Sequence, residues 1–280
     1  MPYALIAIVA LLASGLTFFS GFGLGTLLMP AFAVFVPVSV AVGATAVVHL
    51  ANNLFKLWLV GKHADKQVLL RFAPSAVLCA ILGAALLGLL ATALPDGGVL
   101  HQYTFGTNGR EFSITIVKLV IAAIILAFAI AELHPKFDAL AFDRKWLWLG
   151  GAISGLFGGL SGHQGALRSA FLIRCGLSKE AFVATGVVAS VLVDCSRLVV
   201  YALFALGIIG SGKHVIDFGS IVSQVRDSGI APLVAVGCAA ALAGSLIGQR
   251  LVAKVTLTSL RRIVGIALIA FAIALGAGAI

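Results

Sequence analysis

The chain has 280 residues, of which 61% are hydrophobic and 10% charged, against roughly 45–50% and about 25% in soluble globular domains. That composition excludes an ordinary soluble enzyme. The net charge of +9 does not form a nucleic-acid-binding stripe either, because Lys and Arg stand in short clusters between apolar runs.

Apolar segments follow one another at about 3–35, 37–60, 72–94, 113–133, 146–176, 180–209, 229–249 and 263–280. A span of the ~30 Å hydrocarbon core takes about 20 helical residues. A transmembrane barrel would alternate apolar and polar residues, and runs such as 117–131 do not. The predicted fold class is therefore all-α, a polytopic membrane protein. Residues 1–19 resemble the apolar part of a signal peptide, with Ala13-Ser14-Gly15 as a candidate cleavage site. They lack a positive n-region and their pattern recurs mid-chain, so they are read as part of the mature fold.

The first and fifth segments are too long for one untilted span, and each has a Gly-rich middle. Gly21-Phe22-Gly23-Leu24-Gly25 leads to Ala31-Phe32, and Ser161-Gly162-His163-Gln164-Gly165 leads to Ala170-Phe171, at an offset of 139. Further on, Asn53…Lys56 corresponds to Asp194…Arg197 at an offset of 141. Ordered matches of this kind predict an internal repeat. The expected units are an N-terminal repeat, 1–135, and a C-terminal repeat, 136–280, integrated into one transporter domain. Each would consist of a Gly-broken hairpin plus three transmembrane helices, with Gly21, Gly23, Gly25, Gly162 and Gly165 as the helix breaks. Treating both broken segments as hairpins puts twelve Lys and Arg on one side and three on the other. Treating them as single crossings gives eight against seven. The positive-inside rule prefers the hairpins, which orients the repeats oppositely. Two short spans in place of each hairpin give the same parity, and the charge count does not separate them.

Inverted repeats with interrupted helices place a substrate site where the breaks meet. His49, Asn52, Asn53 and Lys56 are spaced i, i+3, i+4, i+7 and form one polar stripe on a helix. Asp194 and Arg197 share a face of another helix. Arg168 follows the second break, offers two-pronged hydrogen bonding, and complements the point charge of Lys56. Arg168, Arg197, His163, Gln164, Ser161, Asn52, Asn53 and Lys56 are the expected substrate-binding residues. Asp194 and His49 are the expected proton-coupling pair. The four cysteines, Cys79, Cys175, Cys195 and Cys238, show no CxxC or metal-ligand spacing. No metal and no cofactor is expected.

The first break followed by Pro30, with Ala44-Thr45-Ala46 and Asn52-Asn53 on the next helix, resembles the first half of the TauE/SafE sulfite exporter family, also called the 4-toluene sulfonate uptake permeases. Gly155-Leu156-Phe157-Gly158-Gly159 through Gly165, with Ala184-Thr185-Gly186, resembles its second half. His163-Gln164, Phe22 and Leu24 depart from the more uniformly glycine-rich breaks of that family. The resemblance implies a multi-pass protein of the bacterial inner membrane that transports sulfite, sulfoacetate, sulfonates or other organic anions.

The expected function is thus secondary-active transport of a small anion by alternating access. An anion channel is the first alternative. The second is an intramembrane sulfur-transfer protein using Cys175 or Cys195 as nucleophile with His163 as base. Expected partners are a small anionic substrate and the lipid bilayer, not nucleic acid, with homodimerisation left open.

Overall fold

A computed structural model describes residues 1–16, 24–94, 98–105, 110–134, 140–209, 229–251 and 257–280. Among these residues the apolar runs form ten helices. In the N-terminal half they are α1 (Pro2–Leu16), α2 (Leu24–Ala33), α3 (Val38–Val60), α4 (Lys66–Ala93) and α5 (Ile116–Leu133). In the C-terminal half they are α6 (Leu147–Ser161), α7 (Gly165–Leu172), α8 (Lys179–Ala205), α9 (Ile230–Leu251) and α10 (Leu257–Gly276). Helices α3, α4, α8 and α9 are each long and apolar enough to cross a membrane. The chain is an all-α polytopic membrane protein, as its composition requires.

Side-chain caps set several helix starts. Asp65 accepts from the Val68 amide at 2.9 Å, Thr115 from Lys118 at 3.1 Å and Ser178 from Ala181 at 3.1 Å, each satisfying a donor that the first turn leaves open. The Asp65 amide itself donates to Thr185 Oγ1 at 2.9 Å, fastening the turn before α4 to α8.

Sequence periodicity did not reveal the antiparallel hairpin β1 (Val99–Phe105) and β2 (Arg110–Thr115), which fills the connection between α4 and α5. Its strands are short, and what holds them is tertiary. Tyr103 stacks on Phe112 at 5.4 Å, and its hydroxyl donates to the Ala277 carbonyl beyond α10.

The second long Gly-rich segment is divided into two helices, α6 and α7; in the first, α1 and α2 flank residues 17–23, which lie outside the described residues. At the second division Gly162 adopts φ 83°, a left-handed conformation that disfavours any residue with a Cβ. Its N–H closes the last turn of α6 on Gly158 at 3.1 Å, and its carbonyl accepts from the Gln164 amide at 3.1 Å. Helix α7, eight residues long, measures about 12 Å, well short of the ~30 Å core.

Between lipid-embedded helices there is little hydrophobic driving force, so close packing of small residues carries association. Gly155 of α6 lies against the Ala76 carbonyl of α4, and Gly244 of α9 against the Leu11 carbonyl of α1, where a Cβ would strike backbone in both cases. The first helix of each half therefore packs on the fourth helix of the other. Helix α3 meets α8, α5 meets α10, α3 meets α9 and α4 meets α8. Matching α1–α5 to α6–α10 in order exchanges the α1–α9 contact with α4–α6 and the α3–α9 contact with α4–α8, and returns α3–α8 and α5–α10 to themselves.

Two apolar cores result. One gathers Ile6, Leu28, Phe32, Ile121 and Leu268 from α1, α2, α5 and α10, and the other Phe72, Phe171, Leu172 and Val193 from α4, α7 and α8. The outer surface is apolar as well, with Trp58, Leu70 and Leu82 exposed as a lipid-facing protein requires. Buried polar groups concentrate on α3, α8 and the second break.

Candidate functional site

Asp194 of α8 is fully buried and is the centre of the polar cluster. Its Oδ2 accepts from His49 Nδ1 at 2.6 Å and from Asn53 Nδ2 at 3.0 Å, both on α3. Its Oδ1 accepts from Arg197 Nη2 at 2.7 Å and from Gln164 Nε2 at 3.1 Å. Four donors from α3, α8 and the break thus occupy one carboxylate, whose two oxygens offer about four lone-pair sites. Charged hydrogen bonds of this kind are among the strongest a protein makes.

Arg197 is equally buried and has a second task. Its Nη1 donates to the Gly158 carbonyl at 3.0 Å, and the Tyr201 hydroxyl donates to the Gly159 carbonyl. These carbonyls belong to the last turn of α6, where the helix dipole favours a cation, and that of Gly158 accepts from the Gly162 amide as well. The guanidinium therefore joins the end of α6 to Asp194. Its Nε, also buried, meets no partner among the described residues. Gly162 leaves room for this side chain, since a Cβ there would stand 3.1 Å from Nη1.

Arg168 and Lys56 form the other charged part of the site. Arg168 of α7 is 5% exposed and donates through Nη1 to Ser190 Oγ on α8. Gly186, one turn before Ser190, faces its Nε, and a Cβ at that position would lie at 3.3 Å. Lys56 of α3 is 6% exposed and lies within electrostatic range of Arg168. Two buried cations close enough to interact repel each other, and an anion is drawn to such a place.

The break supplies neutral polar groups. Ser161 Oγ donates to the Phe157 carbonyl at 3.1 Å, and Ser154 Oγ donates to the Gln164 carbonyl at 3.0 Å. His163 is 3% exposed and stacks on Phe128 of α5 at 5.2 Å. Its Nδ1 faces the Ser161 carbonyl at 3.2 Å and Ser161 Oγ at 3.1 Å.

Of the residues expected from sequence, His49, Asn53, Gln164, Asp194 and Arg197 share one network, with Ser161 and His163 on the adjoining break. Asn52 does not join them. Its Oδ1 accepts from Ser14 of α1 at 3.0 Å and from Ser245 of α9 at 2.7 Å, a separate buried cluster. Gly25 falls within the first turn of α2, where a Cβ would meet the Gly162 carbonyl at 3.1 Å, so α2 starts against the second break. Gly165 opens α7. Gly21 and Gly23 lie outside the described residues.

Sequence reasoning passed over Ser190, Tyr201 and Phe128. Ser190 had a signal: it stands 141 positions after His49, the same offset that relates Asn53 to Asp194. Tyr201 lies one turn beyond Arg197 and in sequence resembles any apolar-face tyrosine.

No curated protein and no solved structure matches this chain. The family described as sulfite exporter TauE/SafE matches residues 6–275, nearly the whole length and both halves of the site just described. The chain belongs to the sulfite exporter TauE/SafE family of membrane transporters.

Proposed function

We propose that the protein is a secondary-active transporter that moves a small anion, such as sulfite or an organic sulfonate, across the bacterial inner membrane. The supporting observation is one of charge. Among the described residues the buried charged side chains are Lys56, Arg168, Arg197 and Asp194, three cations to one anion. The single carboxylate is occupied by four donors, Arg197 among them. Three buried cations against one carboxylate give this part of the bundle a positive field, which favours an anion. Arg168 and Lys56 hold the oxyanion, Arg168 by its planar fork and Lys56 as a point charge.

The two halves are repeats of opposite orientation, and the site lies where α2 and the second break meet between them. His49 and Asp194 form the link between α3 and α8 that a coupling proton would alter, since protonating Asp194 removes its charge and turns one of the oxygens on which four donors converge into a donor. Polar contacts of this network hold one arrangement of the halves, and transport exchanges it for the other.

Flux of radiolabelled sulfite and of a small sulfonate into proteoliposomes tests this reading. Saturable uptake that responds to a pH gradient and falls at least tenfold in Arg168→Ala is the expected result. Saturable uptake unaltered in both Arg168→Ala and Lys56→Ala would remove these residues from the site. Large non-saturating currents would make the protein a channel. The nucleophile alternative lacks support from geometry: Cys175 Sγ is turned to the Phe171 carbonyl at 3.4 Å, and Cys195 is exposed on the outer face of α8.

A further inference from the structure

The imidazole of His163 makes a demand on the ligand that charge alone does not. Both atoms facing Nδ1 are acceptors: the Ser161 carbonyl, and Ser161 Oγ, whose own proton is directed to the Phe157 carbonyl. Nδ1 must therefore carry the ring hydrogen, and in the neutral ring Nε2 is a bare lone pair. That atom is buried without a partner among the described residues. Stacking on Phe128 fixes the ring plane, so Nε2 projects from the edge opposite Ser161.

A lone pair in this position repels an oxyanion that carries no proton. It attracts an O–H or N–H. The nearest cationic group in the same circumstances is Arg197, which lies within electrostatic range of His163 and whose buried Nε is a donor without an acceptor. An unmet acceptor and an unmet donor beside one helix break are jointly satisfied by a ligand that offers both an anionic oxygen and a hydrogen. Leaving either unmet costs about 1–3 kcal/mol.

We propose that the transported ligand is an oxyanion bearing one hydrogen-bond donor, as in a hydroxy- or amino-substituted sulfonate or a monoprotonated oxyanion, and that His163 Nε2 receives that donor. This rests on the anion-transporter reading above and makes His163 the residue that selects among anions of equal charge. The specificity arises in the break itself, because its neighbours on either side are committed: Gly162 to the left-handed turn and Gln164 to Asp194.

The test is calorimetric titration of the full-length protein in detergent with matched pairs, 2-hydroxyethanesulfonate against ethanesulfonate and glycolate against acetate. In the wild-type protein the hydroxylated member of at least one pair is expected to bind about tenfold tighter, the value of one well-made hydrogen bond. In His163→Phe, which keeps the stack on Phe128, the ratio is expected to fall to about one. A wild-type ratio near one in both pairs overturns the proposal and leaves the transporter reading standing. A ratio that survives in His163→Phe overturns the role of His163. Absence of binding by all four anions overturns the anion-site reading and this inference with it. If His163→Phe does not yield monodisperse protein, the wild-type ratios decide.

Discussion

Asn53 and Asp194 stand 141 residues apart, occupy matching places on α3 and α8, and are hydrogen-bonded to each other at 3.0 Å. Their contact lies on the seam where α3 packs against α8. The neighbouring matches behave differently. Lys56 and Arg197 correspond as well, yet Arg197 turns to Asp194 and the end of α6, while Lys56 is grouped with Arg168. The match breaks down around its own centre, with Arg197 held at Asp194 and the end of α6 and Lys56 beside Arg168.

Replacing Asp194 by Asn leaves Arg197 buried without its counter-charge. A loss of about 3–5 kcal/mol is expected, the cost of breaking a buried ion pair from one side, seen as a lower unfolding temperature in detergent. Adding Arg197→Met to Asp194→Asn is expected to recover part of it. A double variant destabilised by the full sum of the two singles would show that the pair does not act as a unit.

Gly186→Ala places a methyl 3.3 Å from Arg168 Nε. The guanidinium must shift to admit it, and the KM for the anion is expected to rise about tenfold, equivalent to ~1.4 kcal/mol, with thermal stability nearly unaltered. An unchanged KM would show that the position of Arg168 is not critical to binding.

Asn52→Leu removes the acceptor of the Ser14 and Ser245 hydroxyls. A stability loss of about 1–3 kcal/mol is expected, with KM near the wild-type value. A marked rise in KM would return Asn52 to the anion site.

A variant with all four cysteines replaced by Ala is expected to transport at the wild-type rate. Loss of flux restored by Cys175 alone would revive the nucleophile reading and weigh against a pure transporter.

The spans, the second Gly-rich division and the pairing of Asp194 with Arg197 could all be read from sequence, because each follows from hydropathy, backbone freedom or spacing within one helix. The stripe on α3 could be read only in part. At about 100° per residue, Asn53 and Lys56 lie on either side of His49 by small angles, whereas Asn52 is rotated about 60° away, far enough to face α1 and α9. Which neighbour fills a given sector of a helix is a tertiary fact, and one stripe served two clusters. The β-hairpin escaped notice for a related reason. Its strands are defined by the Tyr103–Phe112 stack and by the contact with Ala277, which is remote in the chain. Arg197 was legible as a buried charge but not as a partner of the end of α6, since the carbonyl it serves, that of Gly158, lies 39 residues earlier.

The crossed glycine seams bear on how the protein is made. Ribosomes deliver helices in order, so α1 reaches the bilayer long before α9, whose Gly244 closes on the Leu11 carbonyl, and α4 waits likewise for α6 and its Gly155. During synthesis the N-terminal half therefore holds two faces of exposed backbone carbonyl and small residues for which no earlier helix is the partner. Assembly of the finished bundle is a late event, governed by the arrival of the last helices, and a nascent chain halted after α5 is a natural substrate for membrane chaperones and proteases.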